Sequence, residues 1–151
     1  MKSSLVKYQL VMFVVMVVVG VCFNPMNILA YRFSDLYLSQ TLVYGGILMA
    51  SNMIWAHELV HLIAMNHCNY TVLGIGVFLS LCVSIFLLRT QWMIDDTQWL
   101  RRMISHHSTA LTTSHNIYKR TKDPKVKKLA KEIIETQERE ISQMKAMIND
   151  K

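Results

Sequence analysis

Hydrophobic positions run along this chain in two different ways, and the pattern changes near Asp95. Before it, apolar residues run unbroken from Leu10 to Phe23 and soften through "NPMNILA". A second stretch extends from about Thr41 to Met65, and a third from Val72 to Leu88, ending at Arg89. A bilayer core of about 30 Å needs roughly 20 such residues per helix. The pattern therefore predicts three transmembrane helices, at about 9–30, 41–65 and 71–89. Tyr8, Tyr31, Tyr37, Tyr70 and Trp92 fall near the proposed ends, where amphipathic rings prefer to sit. Lys2 and Lys7 precede the first span as they would in a signal peptide. No small-x-small site follows Phe23, and Val21 spoils a lipoprotein-type junction before Cys22, so the span reads as an uncleaved anchor.

From Asp95 onward the apolar positions take a helical period. Asp95 or Asp96 can cap a helix start, and Leu100, Met103, Ile104, His107, Leu111, Ser114 and Tyr118 follow at three- and four-residue steps. "TKDPKV" is a turn with Pro124 at a first helical position. A second amphipathic helix then carries Val126, Leu129, Ala130, Ile133, Gln137, Ile141, Met144 and Ile148 on one face. A connection of about five residues makes the two helices antiparallel. Pairing Tyr118 with Val126 places His107 opposite Gln137, Met103 opposite Glu140 or Ile141, and Leu100 opposite Met144. The predicted fold is all-α: three transmembrane helices followed by a helical hairpin, half of a four-helix bundle. Such a hairpin leaves an apolar face uncovered, so it is expected to form a homodimer or higher homo-oligomer, or to pack on an extension of the third span.

Charge sharpens the division. The chain is 52% hydrophobic yet has a net charge of +6, and the segment from Arg101 onward accounts for all of it. No aromatic residues interleave with the basic cluster at 119–131 as a nucleic-acid stacking platform would require. The cluster reads as a solvated helix face, and the partner it leaves is the lipid bilayer. Counting Lys and Arg leans toward a cytoplasmic C-terminal segment without fixing it, because the charges of a translocated domain count for little. Cys22, Cys68 and Cys82 form no CxxC pattern.

The segments "WLRRMISHHSTAL" and "DPKVKKLAKEIIETQEREISQMKAMI" resemble the family known as domain of unknown function 305. Met103, Ile104, His106, His107 and Ala110 match its first motif; Ile133, Ile134, Gln137, Glu140, Ile141 and Met144 match its second. The likeness covers about residues 97–148. It implies a ferritin-like helical domain, a copper-binding or copper-resistance role known for some members, and an extracytoplasmic C-terminal domain on a multi-pass membrane protein. The chain departs from the family in having Thr113 where another methionine is common; His115 lies two positions on.

Copper(I) is soft and favours thioethers, and imidazole serves copper in either oxidation state. Zinc is the less natural occupant of a Met–His set, since it normally asks for more His, Cys or carboxylate. Met103, His107 and Met144 are the expected direct ligands, with His106 an outward or partner-facing one. Gln137 and Glu140 are expected to orient an imidazole through its other nitrogen, and His115 is an additional candidate. The competing reading is a core histidine bonded to Gln137 among methionines that only pack.

The second span holds another constellation, "MASNMIWAHELVHLIAMNH". Met49, Met53, His57, His61 and Met65 recur every four residues, a slowly winding stripe on one helix face. Ionisable groups inside a membrane are functional candidates by default, so Met53, His57, His61 and Met65 are possible further metal ligands. The stretch also contains HExxH, which in zinc proteases pairs two histidines on the metal with a water-activating glutamate. His67 extends the likeness, but Ala64 stands where the longer motif has the glycine that turns the chain. Only 56 mostly apolar residues precede the motif, without a recognisable sheet or cleft. The expected activity is metal binding without turnover, with an intramembrane zinc protease and a metal-free interaction module as the rivals.

Overall fold

The computed structural model describes residues 2–150, with side chains from residue 6; the Lys2 side chain and Lys151, counted above among the charges, lie outside it. The described chain is helical without strands. It divides into two compact units, residues 1–22 with 40–93, and residues 23–39 with 94–151.

The first unit contains α1 (Lys2–Cys22), α3 (Gln40–Met65) and α4 (Tyr70–Cys82), the last continuing as a π-helical stretch over Val83–Arg89. Three stretches, Val6–Ile28, Gln40–Met65 and Tyr70–Arg89, are long and apolar enough to cross a membrane. Their outward faces stay apolar: Val11, Val14, Val18, Phe78 and Phe86 are exposed. Such surface suits lipid rather than water. Small residues fill the helix contacts instead. A Cβ on Gly46 would meet the Val17 carbonyl oxygen at 2.9 Å, and one on Gly76 would meet the Trp55 backbone nitrogen at 2.8 Å. Glycine thus lets α1 and α4 approach α3 backbone to backbone, the usual packing device where lipid offers no hydrophobic driving force. Buried hydroxyls are satisfied within their own helices: Ser51 donates to the Ile47 carbonyl and Ser80 to that of Gly76.

The first span was expected to continue to about residue 30, but α1 ends at Cys22. Asn24 adopts an extended backbone and its side chain accepts the Met26 N–H at 3.0 Å, starting the short helix α2 (Pro25–Ile28). Pro25, lacking an N–H, suits a new helix start and not the interior of a continuing one. The segment after this break belongs to the second unit.

That unit is built on α5 (Asp96–Arg120) and α6 (Pro124–Asn149), antiparallel and joined by the three residues 121–123, fewer than the five expected. Asp95 caps α5 by accepting the Gln98 N–H at 2.7 Å, and Asp123 caps α6 through Lys125 and Val126. Leu100, Ile104, Leu111, Ile141 and Met144 form the buried core, with Met103, Ile134, Ile148 and Tyr37 packed against it. Burial of a Leu or Ile side chain contributes about 1.5–3 kcal/mol, so this one seam accounts for much of the hairpin's cohesion.

Residues 23–39 cover part of the hairpin, a cover that was expected from a second copy or from span three. The fastening is polar. Asp35, fully buried in a 3-10 turn over Phe33–Asp35, receives the Lys145 ammonium at 2.5 Å on Oδ1 and the Ser108 hydroxyl at 2.7 Å on Oδ2. Its backbone carbonyl accepts from Ser105, and Ser108 in turn accepts the Tyr31 N–H at 2.8 Å. A buried carboxylate persists only when paired and hydrogen-bonded, and this one has both. The segment is held further by the Arg32–Glu138 ion pair and by Tyr31 stacked on His115, ring centroids 4.7 Å apart.

Candidate functional site

The family-matching residues sit on the facing sides of α5 and α6. His107 is half-buried, and its Nδ1 lies 3.0 Å from Glu140 Oε2. The atoms are at ion-pair distance but out of line for a hydrogen bond, so Nδ1 is buried and unbonded. The side-chain partner of His107 is Glu140, three residues beyond the expected Gln137. At the hairpin's far end Leu100 and Met144 belong to the same buried cluster, and Leu100 also lines a hollow with Trp99 and Met147. Gln137 remains part-buried on α6, nearly one turn before Glu140.

Met103 lies one turn before His107 on α5 and packs against the cluster that contains Met144. Two thioethers, one from each helix, therefore belong to one apolar cluster. His106 points elsewhere: it is exposed, its ring 5.8 Å from that of His107 and at 65° to it. What burial it has lowers its imidazole pKa below the ordinary histidine value, helped by electrostatic interaction with His107 and Arg102. Arg102, itself lowered by burial, lies against the Met26 thioether. His115 stacks on Tyr31 with its Nε2 buried and unbonded, two turns from His107. Among the described residues, no three His, Cys, Asp or Glu side chains stand together so as to hold a metal ion. Any metal in the hairpin must therefore draw on sulfur.

In the first unit, Glu58 is buried at 4% exposure and its Oε2 accepts the Asn69 N–H at 2.9 Å. His57 and His61 have ring centroids 4.1 Å apart. Met53 and Met65, the further candidates on this helix, are 38% and 69% exposed.

Sequence reasoning missed Asp35, Ser105, Ser108, Tyr31 and Lys145. The available signal was the run of small hydroxyl residues on α5, Ser105, Ser108, Thr109 and Thr112, which is a face shaped for another strand of chain.

The molecule is thus an all-α protein with three helices able to span a bilayer and a separate helical hairpin unit. Residues 90–149 match the family model described as domain of unknown function (DUF305). An uncharacterised protein of Acanthamoeba polyphaga mimivirus is 33% identical over 129 residues, which cover 85% of this chain and 83% of that protein. The chain belongs to the DUF305 family. No solved structure matches it.

Proposed function

We propose that this is an integral, multi-pass membrane protein that binds or buffers copper, Cu(I) in preference, with its hairpin on the extracytoplasmic side. Met103, His107 and Met144 would hold the ion, and His106 would serve as an outer or partner-supplied ligand. The observation that carries the reading is the unbonded, buried His107 Nδ1 beside Glu140. On a small rotation of the ring a carboxylate there would accept from Nδ1 and leave Nε2 as the metal-binding nitrogen, the usual arrangement around metal-bound histidine. The thioethers of Met103 and Met144 supply the soft partners that Cu(I) prefers. Zinc fits this donor set poorly. A homodimer completing a four-helix bundle would cover the open hollow by Trp99 and Met147. The test is Cu(I) competition with a chromogenic chelator on the purified full chain. Retention of about one Cu(I), lost in His107→Ala, supports the reading, and failure to compete with the chelator ends it.

The rival reading is a metal-free helical interaction module. The packing of Met103 and Met144 among Leu100, Ile104 and Ile141 favours it, since methionine fills plain cores in the same way. Under it His107→Ala leaves metal tolerance in cells unchanged.

A further inference from the structure

A cavity of about 390 Å³ lies in the first unit, where α3 turns into α4 against α1, and its walls carry His57, His61, His67 and Glu58. Tyr8 and Gln9 of α1 close it. Three features point to an occupant. The buried His57 Nδ1 and Gln9 Oε1 make no hydrogen bond to the protein, and a buried polar group left unmet is costly. Glu58 puts a buried carboxylate on the wall, and among the described residues no lysine or arginine lines the cavity to balance it. His57 and His61 stand one helical turn apart with rings 4.1 Å between centroids, a pair that can hold a single ion from one helix face.

The turn supplies a third nitrogen. The chain reverses at Asn66, whose φ of 51° is left-handed. Asparagine tolerates that conformation better than most residues. The reversal brings His67 to the cavity, with its backbone N–H donating to the His61 carbonyl. The turning role expected of a glycine at position 64 therefore falls to Asn66, two residues later. His67 is exposed, so its side chain is able to rotate onto an ion held by the other two. Glu58 fastens the same turn through Asn69, whose side chain caps α4 by accepting the Val72 N–H.

We propose that His57, His61 and His67, which are not gathered into a ligand set in the structure, close around a borderline divalent transition-metal ion of the Zn²⁺ type, separate from the hairpin copper and independent of it. His57 and His61 are the preset half, His67 closes on binding, and Glu58 balances the charge. Met53 and Met65 do not line the cavity, so the donors are nitrogen and oxygen. Such a set selects Zn²⁺ over Cu(I).

The test uses the metal-free full chain in detergent micelles, titrated with Zn²⁺ alone against a chromogenic chelator and with Co²⁺ as a visible-absorption probe. Wild type is expected to take up one Zn²⁺ per chain and to give a Co²⁺ spectrum with nitrogen ligation. His57→Asn with His61→Asn should weaken Zn²⁺ by at least about tenfold, while His107→Ala leaves it unchanged. Should the double variant misfold by circular dichroism, His67→Ala, at an exposed position, is expected to weaken binding alone and shift the Co²⁺ bands. Absence of Zn²⁺ uptake by wild type overturns the site. So does equal affinity in wild type and in every folded variant, or loss of uptake on His107→Ala alone. Cu(I) competition reads the hairpin separately, so failure of one site leaves the other standing.

Discussion

Glu140 Oε2 stands 3.0 Å from His107 Nδ1 across the seam between α5 and α6, and the contact is close without being a hydrogen bond. A small rotation of the imidazole would align it. Metal on Nε2 favours a proton on Nδ1, and that proton would be drawn to the carboxylate. Glu140→Gln keeps the size of the side chain and removes its charge. Cu(I) affinity of the full chain is expected to fall by about tenfold, and His107→Ala should cost more. Chelator competition measures both, and an unchanged affinity in Glu140→Gln removes the carboxylate from the site.

The pairing of Asp35 with Lys145 makes a second prediction. Lys145→Met keeps the length of the side chain but leaves a fully buried carboxylate with the Ser108 hydroxyl in place of a charged partner. Breaking a buried ion pair costs about 3–5 kcal/mol. Lys145 is about a quarter exposed, so the lower end of that range applies. Residues 23–39 should exchange amide hydrogens faster than in wild type, while α5 and α6 retain most of their protection. Unaltered exchange in that segment would show that the contact does not hold it.

The two halves of the fold were legible in the sequence for different reasons. The spans announce themselves by length, and the hairpin by the three–four spacing of Leu100, Ile104, Leu111, Ile141 and Met144. The end of α1 was not legible, because the apolar stretch runs on past the break that Asn24 and Pro25 impose. The contact of His107 with Glu140 was not legible, because a glutamate side chain reaches along the facing helix beyond the residue directly opposite. The covering segment was hidden more deeply. Asp35, Ser105 and Ser108 are polar residues that a periodicity argument assigns to solvent. Their burial depends on partners 70 or more positions apart in the chain. The cavity histidines were visible as a motif. The residue that bends His67 back to them was not, because left-handed asparagine has no fixed place in that motif.

Gly46 and Gly45 offer a paired test of the first unit. A Cβ at Gly46 would meet Val21 Cγ2 at 2.8 Å and the Val17 carbonyl oxygen at 2.9 Å, whereas one at Gly45 meets nothing within 4 Å. Gly46→Ala must push α1 away from α3, and overpacking of this kind costs about 1–3 kcal/mol. Gly45→Ala should be neutral or stabilising by up to about 1 kcal/mol, because alanine is the better helix former. Thermal unfolding in one detergent, followed by circular dichroism, compares the two. Equal midpoints would mean that backbone contact at Gly46 is not what joins these helices.

His106 supplies the pH dependence. Burial, then His107, then Arg102 lower its pKa from the ordinary histidine value of 6.5. The folded protein therefore binds fewer protons at this position than the unfolded chain does. Stability from this group rises with pH between the lowered folded value and 6.5, and the penalty is complete below the folded value. Above 6.5 the ring is neutral in both states and the dependence vanishes. The ring is exposed, so the effect on stability is small and a direct titration is the better reading. Its NMR signal should move at lower pH than that of an unperturbed histidine. Arg102→Gln should return part of the shift, and a midpoint at or above 6.5 in the wild type contradicts the assignment. Keeping His106 neutral to lower pH also keeps it available as a metal ligand there. Cu(I) retention at mildly acidic pH is therefore expected to weaken in His106→Ala more than retention at neutral pH does.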